Sequence, residues 1–247
     1  MKYTDLEDLF RKEADKPEER SIYLPRVVPE LPVDYVFVGM EPSLGSWVKT
    51  SGKTERQKRK AAESEIAKGF KDFAFSMGDF ILHYCIRQYL CYSGANYYLT
   101  NISKGAMTTK RAAEGRQERY GRWYPLFEYE LKLASKENTK VIALGKLVKE
   151  FLDKNQRQNI YHILHYSQQA ARYRGRHIKG REFQFDEFEK TVSKSKVLDI
   201  AESVICECGM SKELRHSTID RLQKSGDDLS LSQKKLMFDY KIDFSLL

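Results

Sequence analysis

The chain has 247 residues, 41% hydrophobic and 32% charged, with a formal net charge of +8 and a pI near 9.1. That length carries one large domain, alone or with an appendage, and a core that needs no disulfide or metal staple. The composition excludes a disordered chain, no stretch approaches the ~18 apolar residues of a membrane span, and the basic charge points to a polyanionic partner, nucleic acid foremost.

In chain order, Met1-Lys2-Tyr3-Thr4-Asp5 is charged and starts no apolar core like that of a signal peptide, so a cytoplasmic protein is expected. Residues 4–15 read as a short charged helix, with Thr4 as N-cap and Glu7 completing a capping box. Pro17, Pro25, Pro29 and Pro32 make 16–33 an extended surface segment. The first strand, Asp34–Val38, runs into the polar turn Gly39-Met40-Glu41-Pro42-Ser43. Gly45, Gly52 and the run Lys53, Arg56, Lys58, Arg59 and Lys60 read as a loop entering a helix, either a solvated charged face or a phosphate contact. Ser51-Gly52-Lys53-Thr54 ends like a phosphate-binding loop, but Trp47 stands where that motif needs Gly, which excludes it.

An apolar helix is expected over 79–90, with Asp79 near its start. The second strand, Asn96–Thr100, runs into Asn101-Ile102-Ser103-Lys104. A helix near 122–135 precedes the strand Lys140–Leu144, which ends at Gly145, and a further helix is expected at 146–154. The strand Asn159–Leu164 ends in His165-Tyr166-Ser167. Residues 166–182 interleave Arg172, Arg174, Arg176, Lys179 and Arg181 with Tyr173, a pattern that suits a nucleic-acid backbone. Three helices follow, near 195–207, 211–223 and 230–240. Cys85, Cys91, Cys206 and Cys208 match no common zinc or iron–sulfur spacing and read as reduced thiols.

Short β-rich runs alternating with helices predict a parallel sheet. Ligands of such sheets bind beyond the carboxyl ends of the strands. A carboxylate (Glu41), an amide (Asn101) and an imidazole (His165) would therefore meet along one sheet edge.

These segments resemble a known family. Gly39-Met40-Glu41-Pro42-Ser43 resembles the first motif of the uracil-DNA glycosylase superfamily, whose variants read GQDPY, GMNPG or GEAPG. Tyr98–Lys104 resembles that superfamily's second strand with its base-reading Asn, Val141–Lys146 its third strand, and Leu164-His165-Tyr166-Ser167 its final motif, usually HPS. The four stand in the family's order across residues 34 to 174. The resemblance implies an α/β fold, a three-layer α/β/α sandwich with a four-stranded parallel sheet over residues 1–185. Residues 186–247 lie outside the resemblance and are expected to be a C-terminal helical extension packed on that domain, an appendage being the alternative. The resemblance also implies hydrolysis of the N-glycosidic bond of a flipped-out base in double-stranded DNA. A monomer with no cofactor, metal or membrane is expected.

On that reading Glu41 orients or deprotonates a water and stabilises the electron-poor sugar, and His165 donates to the departing base. The alternatives for these two are a helix-start carboxylate and a strand-end histidine. Gly39 and Met40 border the base, Asn101 reads its edge, and Phe73 or Phe75 is its aromatic floor, the other being core. Ser43, Lys104, Ser167, Gln168, Arg172 and Arg174 face the DNA. Asp72 or Asp79 is a candidate to share the catalytic charge. Three departures bear on substrate choice. Ser43 replaces a Tyr that crowds C5 of the base in the best-known uracil enzymes, so larger 5-substituents could enter. Tyr166 replaces the Pro of the final motif. Gln168-Gln169 replaces an apolar wedge, leaving Gln, Arg or Tyr as the helix plug.

The leading expectation is excision of a 5-substituted cytosine, such as the glucosylated hydroxymethylcytosine of phage DNA that one branch of the superfamily removes in antiphage defence. The alternatives are uracil removal in repair and a non-catalytic binder of modified or single-stranded DNA. A flavodoxin-like reading lacks a phosphate-cradling glycine loop after the first strand.

Overall fold

The computed structural model describes residues 2–44, 52–155, 157 and 159–247. Four parallel strands form the central sheet: β2 (Val33–Gly39), β3 (Tyr97–Asn101), β5 (Ser135–Leu144) and β6 (Ile160–Ile163), in the order β3-β2-β5-β6. Val36 and Val38 register with Tyr98 and Thr100 on one side and with Val141 and Ala143 on the other. Two short strands, β1 (Ile22–Tyr23) and β4 (Gly105–Ala106), pair antiparallel beside it.

Alternation along each strand divides the core. Phe37, Leu99, Ile142, Leu144 and Ile163 face one way, against α3 (Met77–Cys85), α8 (Lys194–Glu207) and α10 (Leu231–Ser245). Val36, Val38, Tyr98, Val141 and Ala143 face the other, against α5 (Arg116–Ala134) and α6 (Lys146–Lys154). The result is the expected three-layer α/β/α sandwich with a C-terminal helical extension. Outside α5, α1 (Tyr3–Asp15) adds Leu6 and Phe10 around Trp123.

The extension is a wall of the sandwich. Phe244 of α10 meets Phe37 of β2 edge-on, centroids 5.9 Å apart. The Tyr240 hydroxyl donates to the Leu164 carbonyl at 2.8 Å. Its first helix, α7 (Glu182–Thr191), contains the boundary expected at 185/186, and Phe185 and Phe188, three residues apart, both pack on Phe238. α9 (Lys212–Gln223) lies between α8 and α10 in the chain.

Three local expectations change. Thr4 lies inside α1, which is capped at Lys2, because Asp5 accepts the Lys2 backbone N–H at 2.8 Å. α5 starts six residues earlier than 122, where Gly115 at φ +57° turns the chain into the helix. The apolar helix of 79–90 begins at Met77 behind the N-cap Ser76, and its last turn, Ile86–Leu90, is π-helical. Of the basic 45–60 segment, residues 45–51 lie outside the described residues, including Gly45, Trp47 and Ser51. Thr54 caps α2 (Glu55–Ala67), which carries Arg56, Lys58, Arg59 and Lys60. Among the described residues no helix is long and apolar enough to cross a membrane.

Candidate functional site

Three strand ends open on the same sheet edge: Glu41 and Ser43 follow β2, Asn101 ends β3, and His165 follows β6. The segment between α2 and α3 folds over them. It is held to the 16–33 segment by a parallel bridge between Arg26 and Asp72, where the Asp72 N–H donates to the Pro25 carbonyl at 2.8 Å. Together these parts enclose a cavity of about 230 Å³ lined by Glu41, Ser43, Asp72, Phe73, Phe75, Asn101 and His165 among others. Drug-sized ligands occupy roughly 300–1,000 Å³, so this space suits a single base rather than a whole nucleotide.

At the floor, Asn101 Nδ2 donates to Asp72 Oδ2 at 2.6 Å, and Asp72 Oδ1 accepts the Phe73 N–H at 3.1 Å. Burial raises the Asp72 carboxyl to about 7, with Asp79 adding to the rise and Arg26 opposing it. Carboxyls shifted this far cluster at functional sites and in buried ion-pair networks. Asn101 Oδ1 lies against Gly39, 2.1 Å from where a Cβ would stand. Glycine at 39 is what lets the amide sit there.

Phe73 has φ +58°, a left-handed conformation that costs a bulky residue on the order of 1–3 kcal/mol. His83 holds it in place. Burial lowers the His83 imidazole to about 4, so it is neutral. Its Nε2–H donates to the Phe73 carbonyl at 3.0 Å, and Nδ1 accepts from the Tyr97 hydroxyl at 2.6 Å. Phe73 also borders a second cavity, of about 300 Å³, behind the first. Phe75 packs on Phe70 and is covered by the Arg221 guanidinium, 3.7 Å from the ring centre. Both aromatics thus reach the cavity, where only one was expected to. Asp79 accepts the N–H groups of Phe75 and Ser76 at 3.2 and 2.7 Å, closing the first turn of α3.

The Glu41 carboxylate is almost fully buried and clamped by α5. Arg116 reaches Oε1 at 3.0 Å, Arg119 reaches Oε2 at 3.5 Å, and the Tyr120 hydroxyl donates to Oε2. His165 Nδ1 accepts the Ser167 N–H at 2.9 Å. Burial, with Arg174 nearby, lowers this imidazole to about 4. Near neutral pH the ring is therefore neutral, with its proton on Nε2, and is a fixed donor. Tyr166 stacks on it, centroids 4.6 Å apart. Gly78 makes room for that stack, because a Cβ there would meet Tyr166 at 2.6 Å.

Met40 and Lys104 fall outside the expected site, and the other expected DNA contacts lie around the cavity mouth. Met40 packs on the opposite side of the sheet, in the core shared with α5 and α6, so it does not border the cavity. Lys104 does not face DNA: it is fully buried and pairs with Glu130 at 2.5 Å. Its place after β3 sends the side chain under the sheet edge, to the Thr100 hydroxyl at 2.8 Å. Arg174 is a brace, donating to the Tyr166 carbonyl at 2.7 Å, the Ser167 carbonyl at 3.1 Å and the Ser232 hydroxyl of α10 at 2.9 Å. Ser167 and Gln168 border a neighbouring polar cleft instead of the cavity. Arg172 is exposed on the 3₁₀ turn Gln168–Tyr173 and stacks on the Tyr173 ring at 4.8 Å.

The clamp on Glu41 was the principal feature missing from the sequence reading. Its signal was present: Arg116, Arg119 and Tyr120 stand at i, i+3 and i+4 of one helix, a spacing that aligns side chains on one face. Comparison of the chain with protein-family models, with curated proteins and with solved structures finds no match.

Proposed function

We propose that the cavity receives a nucleobase turned out of DNA and that the protein hydrolyses its N-glycosidic bond, leaving an abasic site. The observation carrying this reading is the convergence of Glu41, Asn101, His165 and the Phe73/Phe75 walls on one base-sized cavity. An extruded base needs apolar walls for its faces, a polar partner for its edge, and a donor where negative charge grows as the bond breaks. Phe73 and Phe75 supply the first, Asn101 the second, and the neutral His165 Nε2–H the third. Glu41, anchored by Arg116, Arg119 and Tyr120, is the preset carboxylate that orients the attacking water and faces the cationic sugar. Ser43 is exposed at the rim, where a 5-substituent leaves the cavity. The base we favour is a 5-substituted cytosine such as that of modified phage DNA, which gives the protein a role in antiphage defence.

The same clamp favours one other reading. Two guanidinium groups on one carboxylate neutralise much of the charge the reaction needs, as in a module that binds modified or single-stranded DNA without cutting it. Alkali-labile sites on glucosylated-hydroxymethylcytosine DNA and on a uracil duplex separate the cases, with wild-type protein beside Glu41→Gln. Strand breaks on the glucosylated DNA that vanish in the variant support the proposal. Breaks on the uracil duplex alone make the protein a repair enzyme. Binding without breaks on either leaves the binding module.

A further inference from the structure

We infer that Asp72, together with the Asn101 amide it accepts, selects a base bearing an exocyclic amino group over its oxo counterpart. The inference rests on the proposed base-binding role of the cavity and names the class of base it takes.

Donor and acceptor placement at the cavity floor carries the selection. Asp72 lines both cavities and Asn101 only the front one; the Asp72 Oδ2 takes the Asn101 Nδ2–H, which turns that oxygen toward the front cavity. Pairing with a carboxylate fixes the amide: Nδ2 must face Asp72, and Oδ1 is turned against Gly39. The amide therefore shows its remaining N–H, not its oxygen, to an incoming edge. Beside it, Asp72 has used one lone pair on each oxygen, on Asn101 and on the Phe73 N–H, and it keeps acceptor capacity. A donor and an acceptor thus stand side by side. An amino-pyrimidine offers the complement, the ring N3 acceptor beside the N4 amino donor. An oxo-pyrimidine offers the reverse, N3–H beside O4, and sets a carbonyl oxygen against a carboxylate. Carboxylates recognise the cytosine amino group in grooves by this same contact.

The selection depends on Asp72 being ionised. Its carboxyl faces Arg26 of the 16–33 segment, Lys104 after β3, and Asp79 of α3, while Glu41, Lys71 and His165 line the same cavity. With burial raising Asp72 to about 7, acid converts it into an O–H donor that suits O4.

The test uses two single-stranded oligonucleotides that differ at one ring position, one 5-hydroxymethylcytosine against one 5-hydroxymethyluracil. Affinity and base release are measured with wild-type protein and with Asp72→Asn. We expect about tenfold or greater preference for the amino base in the wild type at pH 8, cut to within about twofold in Asp72→Asn. Should the variant fail to fold, the wild-type preference followed from pH 8 to pH 6 stands in: it should shrink as Asp72 protonates. Equal affinity for the two, a preference for the oxo base, no binding to either, or a preference untouched by both substitution and pH overturns the inference. Preference without base release from either oligonucleotide upholds the recognition while removing the proposed hydrolysis.

Discussion

Asn101 Oδ1 and the Gly39 Cα are packed so closely that a methyl group on residue 39 would stand 2.1 Å from the oxygen. Residue 39 is the last of β2 and pairs with Asn101, the last of β3. The two strand ends hold the amide between them.

Gly39→Ala must push the Asn101 amide off Asp72. Overpacking of this kind costs about 1–3 kcal/mol, so the melting temperature should fall by several degrees. The substitution should also weaken binding of the oligonucleotides more than Asn101→Ala does, because it displaces the amide into the cavity instead of removing it. Calorimetry and a binding titration check both parts.

Removing the Glu41 charge tests the hydrolysis directly. Glu41→Gln should lower base release by about 10²–10⁴-fold, the range for loss of a positioned acid or base, with DNA affinity changed only a few-fold. Arg116→Ala leaves Glu41 with Arg119 and Tyr120 and should lower release less. Single-turnover assays on the substrate that the wild type cuts rank the two.

Acid should destabilise the protein through its buried imidazoles. His83 and His165 are both lowered to about 4 from an ordinary value of 6.5. Between those values the unfolded chain binds protons that the folded one does not, so their stabilisation is complete above about pH 6.5 and is lost as pH falls toward 4. Asp72, raised to about 7 from 3.8, acts oppositely: the folded state holds its extra proton, and stability falls as pH rises through that window. Urea midpoints of wild type and His83→Gln across pH 4–7 separate these contributions, and the variant should show the shallower acid slope.

Lys104 gives a stability prediction without a binding one. Lys104→Ala leaves the fully buried Glu130 paired with Arg26 alone, at 3.2 Å. Leaving a buried charge with no cation costs roughly 3–5 kcal/mol, and the cost here should stay below that range because Arg26 remains. The salt dependence of DNA affinity should not change, since a buried lysine releases no counterion from DNA. A changed slope would return Lys104 to the interface.

The strands and most helices were legible because each carries its own periodicity. Lys146–Lys154 matches the expected helix to the residue, and Gly145 and Asn155 punctuate its ends. Glu41, Asn101 and His165 were legible because polar residues directly after β-rich runs must lie at a sheet edge. Asp72 was harder to read. It stands in Lys71-Asp72-Phe73-Ala74-Phe75, which has no strand or helix period, and long-range contacts, the bridge to Arg26 and the Asn101 amide, place it. Lys104 was misassigned because charge in a sequence reads as surface, and Glu130 is not near enough in the chain to announce a partner. α7 escaped because Phe183, Phe185 and Phe188 do not keep a helical spacing, Phe183 being exposed, and they stand among four acidic residues.

The wall formed by α10 sets an order of events during synthesis. Phe37 lies in the first strand of the sheet to be made, and its cover, Phe244, is far later in the chain. Ribosomes extend a chain at about 5–20 residues per second, so this apolar face waits roughly ten seconds or more for its partner. The Leu164 carbonyl, next to His165, waits for Tyr240 of the same helix. A partly made chain therefore already contains every residue of the proposed site but not the wall that holds His165 in place. Competence arrives late and all at once, and the waiting sheet is the stage at which a chaperone has something to hold.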